Sequence, residues 1–282
     1  MITKYTAALT LAALTTAAPV MADGHAGTKG YALGADGSAL IKMIDIATPD
    51  MTAMSPLETP LRAIAFRPVT GQLLGFADDF IFEIDPATGT LTDLGATFAD
   101  TAMIGEGAVA FDFNNQIDAV RAVGADGANL VYFPEGFGDN DERANSVLRF
   151  TDAFYVDGDA SAGAEPLIFA NAYTNAIAGA KASSTAQYAL DARANALVTL
   201  ANNAGELTTV GLLTIDGAAV DVLDMGGFDI VSAAEGSDAA YAVLQIDGED
   251  TAGLYAVDLS SGALTALGDI GTGGITGFAV SQ

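Results

Sequence analysis

Residues 82–95 read FEIDPATGTLTDLG, and residues 255–268 read YAVDLSSGALTALG. Asp85, Gly89, Leu91, Thr92, Leu94 and Gly95 return as Asp258, Gly262, Leu264, Thr265, Leu267 and Gly268. Two looser copies keep part of the register. Residues 188–201, YALDARANALVTLA, hold Asp191, Leu197 and Leu200, and residues 42–55, KMIDIATPDMTAMS, hold Asp45, Met51, Thr52 and Met54. Each copy reads as a strand, a turn and a returning strand. Apolar residues alternate with smaller or polar ones before the Asp, the period of a half-buried strand. The Asp carboxylate suits the backbone N–H groups of the turn, and the Gly, replaced by Asn195 in one copy, supplies positive φ. The repeated Asp is therefore read as a turn brace, and the repeat itself governs the fold.

A second element precedes the hairpins. It appears as Ala63-Ile64-Ala65-Phe66, Ala108-Val109-Ala110-Phe111, Phe169-Ala170-Asn171-Ala172-Tyr173, Gly227-Phe228-Asp229-Ile230 and Gly277-Phe278-Ala279-Val280. Small residues alternating with aromatics suit a crowded inner strand at a closed axis. The first four recur roughly every 45–60 residues, the size of a propeller blade. The last, at 275–280, has no hairpin after it, and the hairpin at 40–55 has no inner strand before it. Together they complete a ring. The expected fold is all-β: a β-propeller of five blades, each of about four antiparallel strands, closed by pairing the C-terminal strand with N-terminal strands. The blades fall at 30–58 with 275–280, then 61–100, 107–155, 167–216 and 226–271. A six-bladed propeller is the alternative. Residues 136–165, with GDNDER and DGDASAGAE, fit the repeat worst and read as a surface excursion. Asp157, Asp159 and Ser161 there have the alternating spacing of a calcium loop's first ligands but lack its closing acid. No cofactor is otherwise expected.

The N-terminus is a different text. Lys4, an apolar stretch from Ala7 to Val20, and Val20-Met21-Ala22 make a signal peptide at 1–22, followed by a flexible stretch at 23–29 and a single propeller domain at 30–282. That places the protein in the periplasm or outside the cell. No other segment is long enough to span a bilayer. The 282 residues contain no Cys, so the fold uses no disulfides. With 36 acidic and 10 basic residues the formal charge is −26, which disfavours nucleic acid and anionic membranes and favours cations or neutral ligands. The chain reads as a monomer.

Taken in order, AFRPVTGQLLGF (65–76), FDFNNQIDAVRAV (111–123), NLVYFP (129–134), NAYTN (171–175) and GFDI (227–230), with the IDPATG hairpin, resemble an uncharacterised bacterial family catalogued as domain of unknown function 4394. The likeness runs over nearly the whole mature chain. Ala65 stands where the family usually has an acid, Asn115 where it has Pro, and Ala119 where it has a basic residue. The resemblance implies an exported, propeller-like domain and no particular reaction.

Ligands of propellers usually sit at the axis. The polar residues on or just after the inner strands are Arg67, Asp112, Asn114, Asn171, Asn175 and Asp229, with Asp118 and Arg121 in the following strand. Arg67 among carboxylates would pair with one of them. The site reading is a polar cup for a carbohydrate, a cation or another small polar molecule. Catalytic parts are few. His25 is the only histidine, so a Ser–His triad or a His-ligated zinc has no components. Asp112 and Asp229 are the one carboxylate pair that would serve a glycoside hydrolase. The expectation is an exported binding or interaction module, against two alternatives: that hydrolase, and a structural envelope or matrix protein with every axial charge paired.

Overall fold

The computed structural model describes residues 27–34, 36–50 and 52–281. The expected signal peptide and His25 lie outside the described residues. Five sheets stand radially around one axis. Their inner strands are Gly277–Ser281, Ala63–Arg67, Val109–Asn114, Ile168–Tyr173 and Val222–Ser232, for the first to fifth blade. The first blade joins both ends of the chain: Gly277–Ser281 pairs antiparallel with Lys29–Leu33, from Lys29 opposite Ser281 to Leu33 opposite Gly277. The five-bladed expectation and its closure are what the structure has.

The repeated Asp braces its turn as expected. Asp85 Oδ1 accepts the Ala87 N–H at 2.8 Å, Asp258 Oδ1 that of Ser260 at 2.8 Å, and Asp191 Oδ1 that of Arg193 at 2.8 Å. Gly89, Gly262 and Asn195 carry φ of 80°, 81° and 48°.

Blade boundaries differ from the sequence reading in one systematic way. Before reaching the axis, three linkers lie along the outer edge of the blade they are about to enter. Thr97–Phe98 pairs parallel with Ser146–Arg149, Phe154–Tyr155 with Glu206–Leu212, and Thr214–Ile215 with Ala263–Asp269. The last three blades therefore have five, five and six strands instead of four. A parallel addition needs no hairpin, so it leaves no turn signal in sequence. It also covers an otherwise open edge. Residues 136–165 are less of an excursion than expected, since Ser146–Arg149 and Phe154–Tyr155 are among these strands. Arg143 anchors the loop that leads from Phe133 into Ser146–Arg149, its guanidinium 4.8 Å from the Phe133 ring centre, 5.1 Å from that of Phe137, and forked onto Asp141.

Each pair of neighbouring blades encloses its own apolar layer. Phe76, Phe111, Phe113 and Tyr132 pack between the second and third blades; Phe169, Leu190, Phe228 and Leu244 between the fourth and fifth; Ile41, Tyr241, Val243 and Phe278 between the fifth and first. Burying each such side chain contributes about 1.5–3 kcal/mol. The inner strands meet at backbone distance: a Cβ on Gly227 would lie 2.3 Å from the Phe278 nitrogen. Around Ile64, Ala110, Ala170, Gly227 and Gly277 only about 10 Å³ stays open, room for a single water. The axis is closed.

Candidate functional site

The sequence-nominated residues fall into three groups. The first is the axial wall. Asp112 and Asp229 are 4% and 5% exposed. Asp112 Oδ2 accepts the Tyr173 N–H of the next blade at 2.7 Å. Asp229 Oδ2 accepts the Val280 N–H at 2.7 Å, and its Oδ1 the Ile230 N–H at 2.7 Å. An inner strand has no partner on its axial side, so its N–H groups need acceptors, and these carboxylates provide them. Burial pushes both acids up: Asp112 well above the usual carboxylate range, helped by the charge of Asp229, and Asp229 to about 7. As a hydrolytic pair they lack an open cleft between them, being set into the strand wall.

The second group lies in the seam between the third and fourth blades. Arg121, 3% exposed, donates from Nε to Tyr173 Oη at 2.8 Å, from Nη2 to Asn203 Oδ1 at 2.7 Å, and from Nη1 to Asn129 Oδ1. Tyr173 Oη also lies 2.8 Å from Gln187 Oε1 and 2.9 Å from Asn202 Oδ1. Burial lifts the Tyr173 phenol to about 12 despite the nearby Arg121. Asn171, 1% exposed, has both side-chain polar atoms without a protein partner and lines the one-water void on the axis.

The third group sits where the inner strands leave the axis. Arg67 forks onto Asp118, Nε to Oδ1 at 2.7 Å and Nη2 to Oδ2 at 2.6 Å, and donates from Nη1 to Gln72 Oε1 at 2.9 Å. Asn114 Oδ1 accepts the Gln116 N–H at 3.0 Å and Thr185 Oγ1 at 3.2 Å. Asn175, at φ 60°, donates its N–H to Asp238 Oδ1 and its Nδ2 to Ser184 O, both at 2.8 Å, and accepts the Gly236 N–H at 2.7 Å. Arg67, Asp112, Asn175 and Asp229 are thus distributed over exit and wall and do not line one cup. In the calcium-like loop, Asp159 accepts Ser161 N–H and Thr209 Oγ1 on Oδ1, both at 2.8 Å, and Thr209 N–H on Oδ2 at 2.7 Å. Among the described residues no three acidic, His or Cys side chains converge as a metal set.

A cup does exist, at the opposite end, where the inner strands begin. It encloses about 330 Å³ between Asp36, Leu61, Arg62, Gly107, Ala108, Asp224, Met225 and Thr276, from four blades, with Asp224 and Met225 on the start of the strand Val222–Ser232. Gly37 places its rim. At φ +72° it lets the Asp36 loop rest on the second blade, where a Cβ would fall 1.9 Å from the Leu61 carbonyl oxygen. Ser38 donates to Asp36 Oδ1 from N at 3.0 Å and from Oγ at 2.5 Å, and these bonds hold the exposed carboxyl below its usual range. Arg62 is engaged elsewhere, with Asp78 Oδ1 at 2.6 Å, Gly107 O at 3.0 Å and Gly105 O. The carboxylates of Asp36 and Asp224 stand exposed at the rim. Sequence reasoning missed this set by looking past the inner strands instead of before them. Arg62, immediately ahead of Ala63 and one of only 10 basic residues, was the available signal.

Fold and site define a five-bladed β-propeller with a blind cup at one end of a sealed axis. The chain belongs to the family described as Domain of unknown function (DUF4394), whose model matches residues 41–279. No curated protein matches it. Among solved structures it is similar to an auxiliary nutrient binding protein from Bacteroides ovatus ATCC 8483, at 13% identity and a TM-score of 0.42, over 75% of this chain and 55% of that one. It is also similar to a protein of unknown function from Bacteroides caccae, at 10% identity and a TM-score of 0.42, over 91% and 100%. An auxiliary nutrient binding protein from Bacteroides thetaiotaomicron VPI-5482 gives 13%, 0.41, 75% and 55%. The chain spans a little over half the length of the two nutrient binding proteins. No helix among the described residues is long and apolar enough to cross a membrane.

Proposed function

We propose that this protein is an exported binding module that holds a small polar ligand, a sugar or a cation, in the cup at the start of the inner strands. The observation that carries the reading is a cavity of about 330 Å³ framed by four blades above an axis that is sealed beneath it. That volume is at the lower end of small-molecule sites, and convergence of several loops on one concave spot is where such sites form. The cup's chemistry narrows the ligand class. Leu61, Ala108 and Met225 offer an apolar floor, Asp36 and Asp224 offer acceptors, and the single guanidinium is already bound to Asp78 and two carbonyls. A ligand with hydroxyl or ammonium donors and one apolar face fits this set, whereas an anion does not.

The test is a thermal-melt screen of the purified protein against a carbohydrate panel and divalent cations, since a native-state ligand raises the melting temperature by mass action. A saturating shift that Asp224→Asn weakens by about tenfold in apparent affinity supports the cup. Absence of any shift across the panel, or a shift indifferent to both Asp36→Asn and Asp224→Asn, overturns it.

A further inference from the structure

A second concavity lies on the fifth blade, away from the axis. It encloses about 450 Å³ and is floored by the half-buried ring of Tyr255. The ring lies along the sheet because residue 253 has no side chain: a Cβ there would sit 2.8 Å from Tyr255 Cε2 and Oη and 2.9 Å from Cζ. Gly253 and Tyr255 are two apart on one strand and share a face, so the glycine lets the phenol lie flat against its neighbour's backbone. Ile215, on Thr214–Ile215, and Ile246, at the end of Asp238–Ile246, belong to strands on either side of the Tyr255 strand, and Glu249, Thr251 and Asp269 supply the polar groups. Asp269 is fixed in position, accepting Thr251 Oγ1 at 2.8 Å and the Gly271 N–H at 2.6 Å, while Glu249 is exposed. None of the lining residues is basic. Burial, then the charges of Glu249 and Asp269, push the Tyr255 phenol up, consistent with both carboxylates flanking the ring.

An aromatic ring beside two carboxylates, with an isoleucine on a strand to either side and no basic residue in the lining, has a defined electrostatic preference. The ring quadrupole attracts a cation over its face, and the carboxylates add to that attraction. An anion is repelled by all three. We propose that this groove binds a small alkylammonium ion, its charge over Tyr255 beside Glu249 and Asp269 and its alkyl part against one of the flanking isoleucines. The site is independent of the axial cup.

Isothermal titration of the protein with choline, and with its neutral carbon isostere 3,3-dimethylbutan-1-ol, isolates the charge. Choline is expected to bind saturably and about tenfold or more tightly than the isostere. Tyr255→Leu should abolish the choline signal, Tyr255→Phe should keep it, and Glu249→Gln, at an exposed position, should weaken it and reduce its salt dependence. Equal binding of the isostere, or choline binding unchanged in both Tyr255→Leu and Glu249→Gln, overturns the proposal. Saturable, Tyr255-dependent binding of methyl glucoside without choline binding also overturns it and makes the groove a sugar platform.

Discussion

Where the inner strands leave the axis, Arg67 is forked onto Asp118, and Asn114 and Asn175 are bonded to the turns around them. Where the inner strands begin, Asp36 and Asp224 stand exposed around an open volume of about 330 Å³. The same axis thus ends in a braced floor and an open mouth. The difference follows from how the chain travels. At the exit, three inner strands turn within six residues into the second strand of their own blade, from Arg67 to Gln72, Asn114 to Ala119 and Ser232 to Asp238, while Tyr173 reaches Gln187 through a longer loop, and these turns consume polar side chains as caps. At the mouth, linkers arrive from the periphery, three of them after running along an outer edge, and their final residues together with the Asp36 turn of the first blade frame a space. Polarity near an axis marks a turn as readily as a ligand.

The comparison is broken most directly at the exit. Arg67→Met leaves the Asp118 carboxylate without its partner, with side chains that are 13% and 11% exposed in the pair. The expected loss is about 2–4 kcal/mol in urea denaturation, with cup binding retained. A loss below about 1 kcal/mol would show that the pair behaves as a surface bridge and that the floor is not braced by it.

Midway along the axis the expected effect depends on pH. Burial raises Asp229 from 3.8 to about 7, so its folded-state pKa exceeds its unfolded one. Its contribution is then complete in acid and is lost as pH rises through about 7, and Asp112, raised in the same direction, adds to the trend. Melting temperature should therefore fall between about pH 4 and pH 7, by a stability change no larger than about 4 kcal/mol for Asp229. Asp229→Asn should flatten the profile. A wild-type profile that is flat or rises over this interval would mean that the two N–H bonds to Asp229 keep it ionised despite burial.

The smallest effect belongs to the mouth. Asp224→Asn touches an exposed carboxylate and should change stability by no more than about 0.5 kcal/mol in the same denaturation assay. A larger change would place Asp224 among the braces and leave the two ends alike.

Much of the fold was legible because hairpins write themselves locally. The Asp85, Asp191 and Asp258 turns and the glycines or Asn195 that close them carry their own geometry. The edge strands Thr97–Phe98, Phe154–Tyr155 and Thr214–Ile215 were not legible, since each is two residues long and pairs in parallel with a strand about 50 residues further along the chain. The candidate site was legible by residue type more than by place. Arg67 as the partner of a carboxylate followed from its chemistry, but its choice of Asp118 required the neighbouring blade. Asp36, Arg62, Asp224 and Met225 carry no shared motif, and only the ring brings them together.

The sequence by itself determined that the chain is all-β, that it repeats, that the repeat makes a propeller closed by the C-terminal strand against N-terminal strands, with five blades favoured over six, and that the repeated Asp is a turn residue. These are properties of period, turn chemistry and spacing, which act over a few residues. Tertiary structure alone decided that the axis is sealed, that Asp112 and Asp229 cap the N–H groups of neighbouring blades, and that the cup framed by four blades lies where the inner strands begin. Those outcomes depend on how closely five strands approach at a common line, a distance set by the packing of all five blades together and by no single segment of the chain.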